Sequence, residues 1–206
     1  IETGRIGPAP YDREVFAARL TEEGADGESA SFLIDRLPSR FDEKELQGAL
    51  AALASQRVTR QYASHTDELA RRIARNNYEV EFSPESAIAQ RVLWPHSPTE
   101  SHGIEDARFV RFVEEDGSAV YQATYTAFDG AQVSPKMVET SDFRRFRMLQ
   151  LAGPAAQNKG MALFPRQVGG RYVALSRWDR ENLSIATSYD GRRWEDASML
   201  HVPSQP

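Results

Sequence analysis

The sequence contains no cysteine. That absence removes disulfides, thiolate nucleophiles and cysteine-type zinc sites together, and it fits a reducing compartment. An excess of positive charge is missing too: 25 Lys and Arg stand against 30 Asp and Glu, for a formal net charge of -5. A nucleic-acid binder needs a basic stripe to neutralise phosphates, so that partner class is set aside. No apolar run approaches the roughly 18 to 20 residues that span a bilayer, and Ile1 to Pro10 carry no signal-peptide pattern. The default expectation is a cytoplasmic protein with neither a membrane nor a nucleic-acid partner. What is present is the composition of an ordinary globular protein, 40% hydrophobic and 27% charged. The chain opens on Ile1 rather than Met and stops at Pro206 directly after strand-like sequence, so it reads as an excerpt.

Three stretches follow one another. Residues 1–40 read as an irregular lead-in, with a helix-compatible piece from Tyr11 to Leu20 and a short apolar run, Ser31 to Leu37, expected to be a buried strand. Residues 41–77 read as a helical insertion of two helices. The first is marked by Asp42 as N-cap, Glu45 as its capping-box partner and a Phe41–Leu46 staple, with Leu46, Ala49, Leu50, Leu53 and Ala54 forming one stripe to about Gln56. The second is expected over Thr66 to Asn76. From Tyr78 onward the apolar stretches are short, rich in Val, Tyr, Phe and Thr, and broken by Gly, Asp or Pro, which marks residues 78–206 as β structure. Candidate strands include Arg108 to Val113, Ala119 to Thr126, Lys136 to Thr140, Met161 to Phe164, Tyr172 to Arg177 and Ser184 to Ser188, with turns at Asp116-Gly117, Gly169-Gly170 and Asp190-Gly191.

An internal echo runs through this region. Thr140 to Phe146 resembles Thr187 to Trp194, roughly 47 residues on, and a matching hairpin precedes each copy. That period is the one propeller blades show, and several four-stranded blades are needed to close a ring. The competing reading is a β-sandwich with two similar hairpins.

The densest polar cluster is Glu100 to Arg108, at a strand entrance. A carboxylic acid stays protonated at neutral pH only when burial or a like charge raises its pKa, and adjacent Glu105 and Asp106 offer both routes. The plainer reading is a loop whose carboxylates pair with Arg108 and Arg111. As metal ligands, His96, His102, Glu105 and Asp106 fit no established zinc spacing, so no metal is expected. Lys159 and Arg177, both near strand ends, suit an anion such as phosphate or are simply solvated cations. Asn182-Leu183-Ser184 matches a glycosylation acceptor pattern that recurs by chance.

In order along the chain, several segments resemble family 130 of the glycoside hydrolases, five-bladed β-propellers that include β-mannoside phosphorylases and β-1,2-mannosidases. Gly103-Ile104-Glu105-Asp106-Ala107-Arg108 is similar to the family's Gly-x-Glu-Asp-Pro-Arg, and Tyr125-Thr126-Ala127-Phe128-Asp129-Gly130 to its Tyr-Thr-Ala-Tyr-Asp-Gly. The series continues through Ser141-Asp142-Phe143, Leu163-Phe164-Pro165, Gly170-Arg171-Tyr172 and Ser176-Arg177 to Ser188 and Trp194, covering about Phe82 to Pro203. The resemblance implies a mainly β fold, part of a five-bladed propeller with an N-terminal helical insertion. It implies an inverting reaction on β-mannosides with Asp106 as general acid, and sugar contacts from Tyr125, Asp129, Asp142 and Glu105. Lys159 and Arg177 fall at phosphate-binding positions, with inorganic phosphate as co-substrate and no other cofactor. Ala107 stands where the family has proline, and Lys159 where it has arginine, which leaves phosphorolysis against hydrolysis open. The implied partners are an oligosaccharide substrate and the remaining blades, with self-association left open. A non-catalytic sugar-binding propeller and a purely structural β-domain are the rival readings.

Overall fold

The computed structural model describes residues 1–56, 62–114 and 116–203, so the last three residues of the expected β region lie outside the described residues. Four helices precede most of the β structure, and two of them start on side-chain caps. Arg13–Glu22 begins where the Asp12 carboxylate accepts from the amides of Glu14 and Val15. Glu43–Ala54 begins on the expected capping box: Asp42 Oδ1 accepts from the Glu45 amide and Glu45 Oε2 accepts from the Asp42 amide, both at 2.9 Å. Because that cap satisfies amides that would otherwise be open, Asp42→Ala is expected to lower stability by about 1 kcal/mol, read as a lower urea midpoint at constant slope. Phe41 and Leu46 of the expected staple are both buried in a helical core with Leu50, Leu69 and Ile73. The second expected helix runs as Ala63–Ala74.

One expectation is overturned. Ser31 to Leu37 does not form a strand; Glu28–Ile34 is a helix and Asp35 its C-cap. A short apolar run does not reveal its own period. Here Ser29, Ala30, Phe32 and Leu33 are the buried positions, a helical spacing, and they pack against the neighbouring helices.

The β structure is dominated by two antiparallel sheets. The first orders its strands Arg5–Pro8, Tyr78–Glu81, Arg145–Gln150, Val133–Thr140, Ala119–Phe128 and Ile104–Val113. Its last four members are consecutive in the chain and form an up-and-down meander. The second sheet is a meander throughout: Ala162–Leu163, Tyr172–Ser176, Leu183–Ser188 and Asp196–His201. Its final strand is largely exposed, with Met199 at 62% and Leu200 at 54% of their full accessibility. The protein is thus mainly β with a helical layer, and the described residues do not close a ring.

The internal echo is a repeated turn. Thr140 Oγ1 accepts from the Phe143 amide at 2.8 Å, and Asp142 Oδ1 accepts from the amides of Arg144 and Arg145 at 2.8 and 2.9 Å. Ser188 Oγ accepts from the Gly191 amide at 2.9 Å, and Asp190 Oδ1 from the amides of Arg192 and Arg193 at 2.7 Å each. Phe143 and Gly191 hold the same left-handed place in the two turns, at φ 53 and 74. The matching partner of Thr140 is therefore Ser188 rather than Thr187.

Both faces of the strand Ala119–Phe128 are covered. Ala123, Tyr125 and Ala127 share one face with Tyr78, Val80 and Val138, under Leu93 and Ile104. On the other side the two meanders meet: Thr124 Oγ1 donates to the Met161 carbonyl at 2.6 Å, Phe112 stacks on Tyr172 with ring centroids 5.0 Å apart, and Met137 joins Met161, Ala174, Ala186 and Trp194 in one core. The buried Glu139 carboxylate ties them electrostatically, accepting from Arg147 and from Arg192 at 2.7 Å each. Gly153 lets the chain pass there, because a Cβ at that position would lie 2.3 Å from the Trp194 carbonyl oxygen.

Candidate active site

The strand Ile104–Val113 is an edge strand of the first sheet, bridged at its far end by Val113 to Arg166. Its register against the neighbouring strand is broken: Glu105 faces Thr126, the next partners are Arg108 and Thr124, and the two residues between form a bulge opposite Tyr125. A bulge re-aims side chains at a sheet edge. Asp106 occupies it in the left-handed region, at φ 57, and Glu105, Asp106 and Ala107 are all exposed. The described residues do not bury Asp106.

The loop that leads into this strand is fastened to the end of the next one. The amide of His102 donates to the Phe128 carbonyl at 2.9 Å, the Phe128 amide donates to the Gly103 carbonyl at 3.1 Å, and Ser101 Oγ donates to the Asp129 carbonyl at 3.3 Å. Asp129 Oδ1 accepts from the Ala131 and Gln132 amides at 2.8 and 2.7 Å. Those donors, Gln132 first, hold its carboxyl below the usual range. Gly130 is required beside it: at φ 97 a side chain is strained, and a Cβ would come within 2.7 Å of the His102 ring. Asp106 and Asp129 therefore stand at the same end of the sheet.

The cations come from the second meander. Lys159 Nζ lies 3.4 Å from Glu105 Oε1, an ion pair more than half exposed on both sides and so of little energetic weight. Arg108 Nη1 donates to the Gly160 carbonyl at 3.2 Å, the Asn158 side chain donates to the Arg177 carbonyl at 3.0 Å, and Arg177 Nη2 donates to the Arg180 carbonyl at 3.0 Å. Glu105, Asp106, Lys159 and Arg177 are thus brought into one neighbourhood where the two meanders adjoin. Asn158 and Arg180 share the left-handed backbone of Asp106, at φ 61 and 75. Conformations of this kind collect at functional sites because the surroundings must hold them.

Asp142 lies elsewhere, and Tyr125, although opposite the bulge, turns its side chain into the core. Tyr125 is buried, and its hydroxyl donates to Glu100 Oε1 at 2.7 Å rather than facing open space. Burial, then the Glu100 charge, raises that phenol well above its ordinary value. Asp142 stands at the opposite end of the sheet from Asp106 and Asp129, since its strand runs from Val133, opposite Phe128, to Thr140, opposite Tyr121. Its Oδ1 holds a turn, as Asp190 does in the second meander, and the Arg145 amide is the largest influence keeping its carboxyl low. The expected grouping of Asp142 and Tyr125 with Asp106 around a sugar is not what the geometry brings together.

Sequence reasoning missed the most connected group in this region, Glu100 and Lys136, which are 0% and 1% exposed. Glu100 Oε1 accepts from Tyr125 and Lys136 at 2.7 Å each; Oε2 accepts from the Tyr78 hydroxyl at 2.8 Å and from the amides of His96 and Ser97 at 2.9 and 3.0 Å. Burial alone would push the Glu100 carboxyl up, but the Lys136 charge and these donors outweigh it and hold it at about 2. Burial likewise pulls Lys136 down to about 8, with Glu100 opposing the fall, so both partners are charged at neutral pH. The available signal was a lysine beside Met137 and Val138 in an expected strand. A cavity of about 670 Å³ lies between this loop and the helices, with His96, Ser97 and Ser101 on one wall and Glu43, Arg71 and Arg75 on the other. Among the described residues no three His, Asp or Glu side chains are placed to hold a metal ion.

No profile of a known protein family matches the chain. A search of curated proteins finds 30% identity over 115 residues with the β-1,2-mannobiose phosphorylase of Listeria innocua, covering 52% of this chain. The chain is similar to a β-1,2-mannobiose phosphorylase. It spans 30% of the length of that relative. The solved β-1,2-mannobiose phosphorylase from Listeria innocua, in complex with β-1,2-mannobiose, aligns with a TM-score of 0.45 at 24% identity, over 63% of this chain and 37% of that one. A Bacteroides thetaiotaomicron protein described as a presumed glycosidase aligns with a TM-score of 0.40 at 18% identity, over 58% of this chain and 46% of its own. The resemblance read from the motifs, to a family that includes β-mannoside phosphorylases, agrees with the β-1,2-mannobiose phosphorylase that the sequence search finds.

Proposed function

We propose that this chain contributes the acid-bearing part of a β-propeller glycoside phosphorylase or hydrolase acting on β-mannosides, with Asp106 as proton donor. The carrying observation is the carboxylate pair Glu105–Asp106 on a bulged sheet edge, with Lys159 and the Arg177 segment of the next meander alongside. In a propeller the first strand of each four-stranded unit lines the central channel. Ile104–Val113 and Ala162–Leu163 are the first strands of their meanders and lie next to each other.

The chemistry is a single inverting displacement. Phosphate, or water giving up a proton to a general base, attacks the anomeric carbon as the glycosidic bond breaks, and the Asp106 carboxyl passes its proton to the departing oxygen. Phosphate arrives already ionised and needs positioning by cations rather than a protein base. Lys159 and Arg177 are the groups at hand, although Lys159 offers a point charge and shares it with Glu105.

The deciding experiment incubates the full-length protein with β-1,2-mannobiose and other β-mannosides, with and without inorganic phosphate. Inversion predicts α-mannose 1-phosphate when phosphate is the nucleophile and free α-mannose when water is. Binding without any product would favour a non-catalytic sugar-binding propeller, a reading to which the exposure of Asp106 also lends support. Neither binding nor product would end the proposal.

A further inference from the structure

We propose that the buried Lys136–Glu100 pair is the positioning element of the candidate site, holding the loop that carries His102 to Asp106 against the strand end that carries Asp129. The inference rests on the functional reading above only for its kinetic test. Glu100 gathers donors from three strands and from its own loop: Tyr78, Tyr125, Lys136 and the amides of His96 and Ser97. Lys136 Nζ also donates to Ser97 Oγ at 2.9 Å, so one ammonium holds the loop at two residues, Ser97 and Glu100. From that anchor the path to the site is short. The Glu100 carbonyl accepts from the Gly103 amide at 2.8 Å, and Gly103 and His102 then pair with Phe128, one residue before Asp129. Asp106 follows three residues after Gly103, in the bulge.

A purely structural need does not explain this choice. Burying two charges is expensive, and well-packed apolar residues in their place are often as stable or more so. What an apolar pair cannot do is fix the direction of two backbone amides and two phenol hydroxyls around one point. A displacement of about 1 Å at a reacting group can cost on the order of a hundredfold in rate, so a rigid anchor three to six residues from the acid has a functional use.

The test compares the full-length protein with Lys136→Met and Tyr125→Phe. Lys136→Met removes the counter-charge and leaves Glu100 four neutral donors; Tyr125→Phe is the milder change, taking away one hydroxyl. Expected are a fall in kcat of about a hundredfold for Lys136→Met and about tenfold for Tyr125→Phe, each with KM changed less than about threefold, because bound sugar is not what these groups touch. Amide hydrogen exchange is the activity-independent readout. Residues 96–106 should exchange faster in both variants, while the helices Glu43–Ala54 and Ala63–Ala74 keep wild-type protection. Above about pH 8 wild-type kcat should fall as Lys136 loses its proton next to Glu100, Tyr78 and Tyr125, and that limb should be missing in Lys136→Met. Unchanged exchange over 96–106 in both variants overturns the proposal, and so does a rise in KM with kcat intact, which would make Tyr125 a sugar contact. If the wild-type protein turns over no β-mannoside, the functional reading fails alone and the exchange result still decides the positioning role.

Discussion

Asp106→Asn in the full-length protein is expected to lower turnover of β-mannosides by at least about a hundredfold, the lower end of what a general acid contributes. The fold should be unaffected, for two reasons. Asp106 is exposed, and its left-handed backbone at φ 57 is one that asparagine adopts readily. Alanine at the same position would mix backbone strain with loss of the acid. The role makes a second, sharper demand. A substrate whose leaving group is already a weak base, such as a nitrophenyl mannoside, needs little protonation as the bond breaks, so most of the lost rate should return with it. Circular dichroism and an unchanged melting temperature would establish that the variant is folded. Wild-type rates on a natural disaccharide would remove Asp106 from the mechanism.

The other large effect concerns stability. Glu100→Ala should cost about 3–5 kcal/mol, the range for stripping one partner from a buried ion pair. The Lys136 ammonium, 1% exposed, loses its counter-charge, and the Tyr78 and Tyr125 hydroxyls lose their acceptor. Adding Lys136→Met should restore part of the loss, since no charge is then left buried. The pH dependence has a definite sign. The folded carboxyl is depressed from 4.5 to about 2, so its contribution is present above about pH 4.5 and disappears as pH falls toward 2. A shift of that size corresponds to about 3 kcal/mol. Urea unfolding at pH 7 and pH 3 checks both parts. A Glu100→Ala variant within about 1 kcal/mol of wild type, with the same acid sensitivity, would contradict the buried pair.

Much of the architecture could be read in advance wherever the determinants are local. The Asp42–Glu45 box, the Asp190-Gly191 turn and the alternating hairpin strands each depend on residues within a few positions of one another. Elements that needed distant partners were not legible. Glu28–Ile34 is helical because its apolar side meets other helices, and a run of seven residues does not declare that by itself. Arg145–Gln150 opens with charged residues alternating with apolar ones, a weak local pattern, yet it lies inside the first sheet between two strands. Asp196–His201 has almost no buried position to give it a pattern.

The site divides along the same line. Glu105 and Asp106 stood out as neighbours in the chain, and the short reach to Lys159 and Arg177 followed from two adjoining meanders. Asp129 and Asp142 look alike in sequence, each an aspartate ending a strand, but strand direction puts them at opposite ends of the sheet. The Glu100–Lys136 pair joins residues 36 positions apart. From sequence alone a lone glutamate in a polar loop and a lone lysine in a strand are the commonest of surface residues.

The final strand of the second meander has a thermodynamic consequence. One flank of Asp196–His201 is wrapped by its neighbour, while Met199 and Leu200 keep most of their surface wet on the other. Hydrocarbon left in water raises the free energy of the folded form without touching that of the unfolded one. Any contact that dries these two side chains will therefore appear as added heat resistance, even if it alters nothing at Asp106.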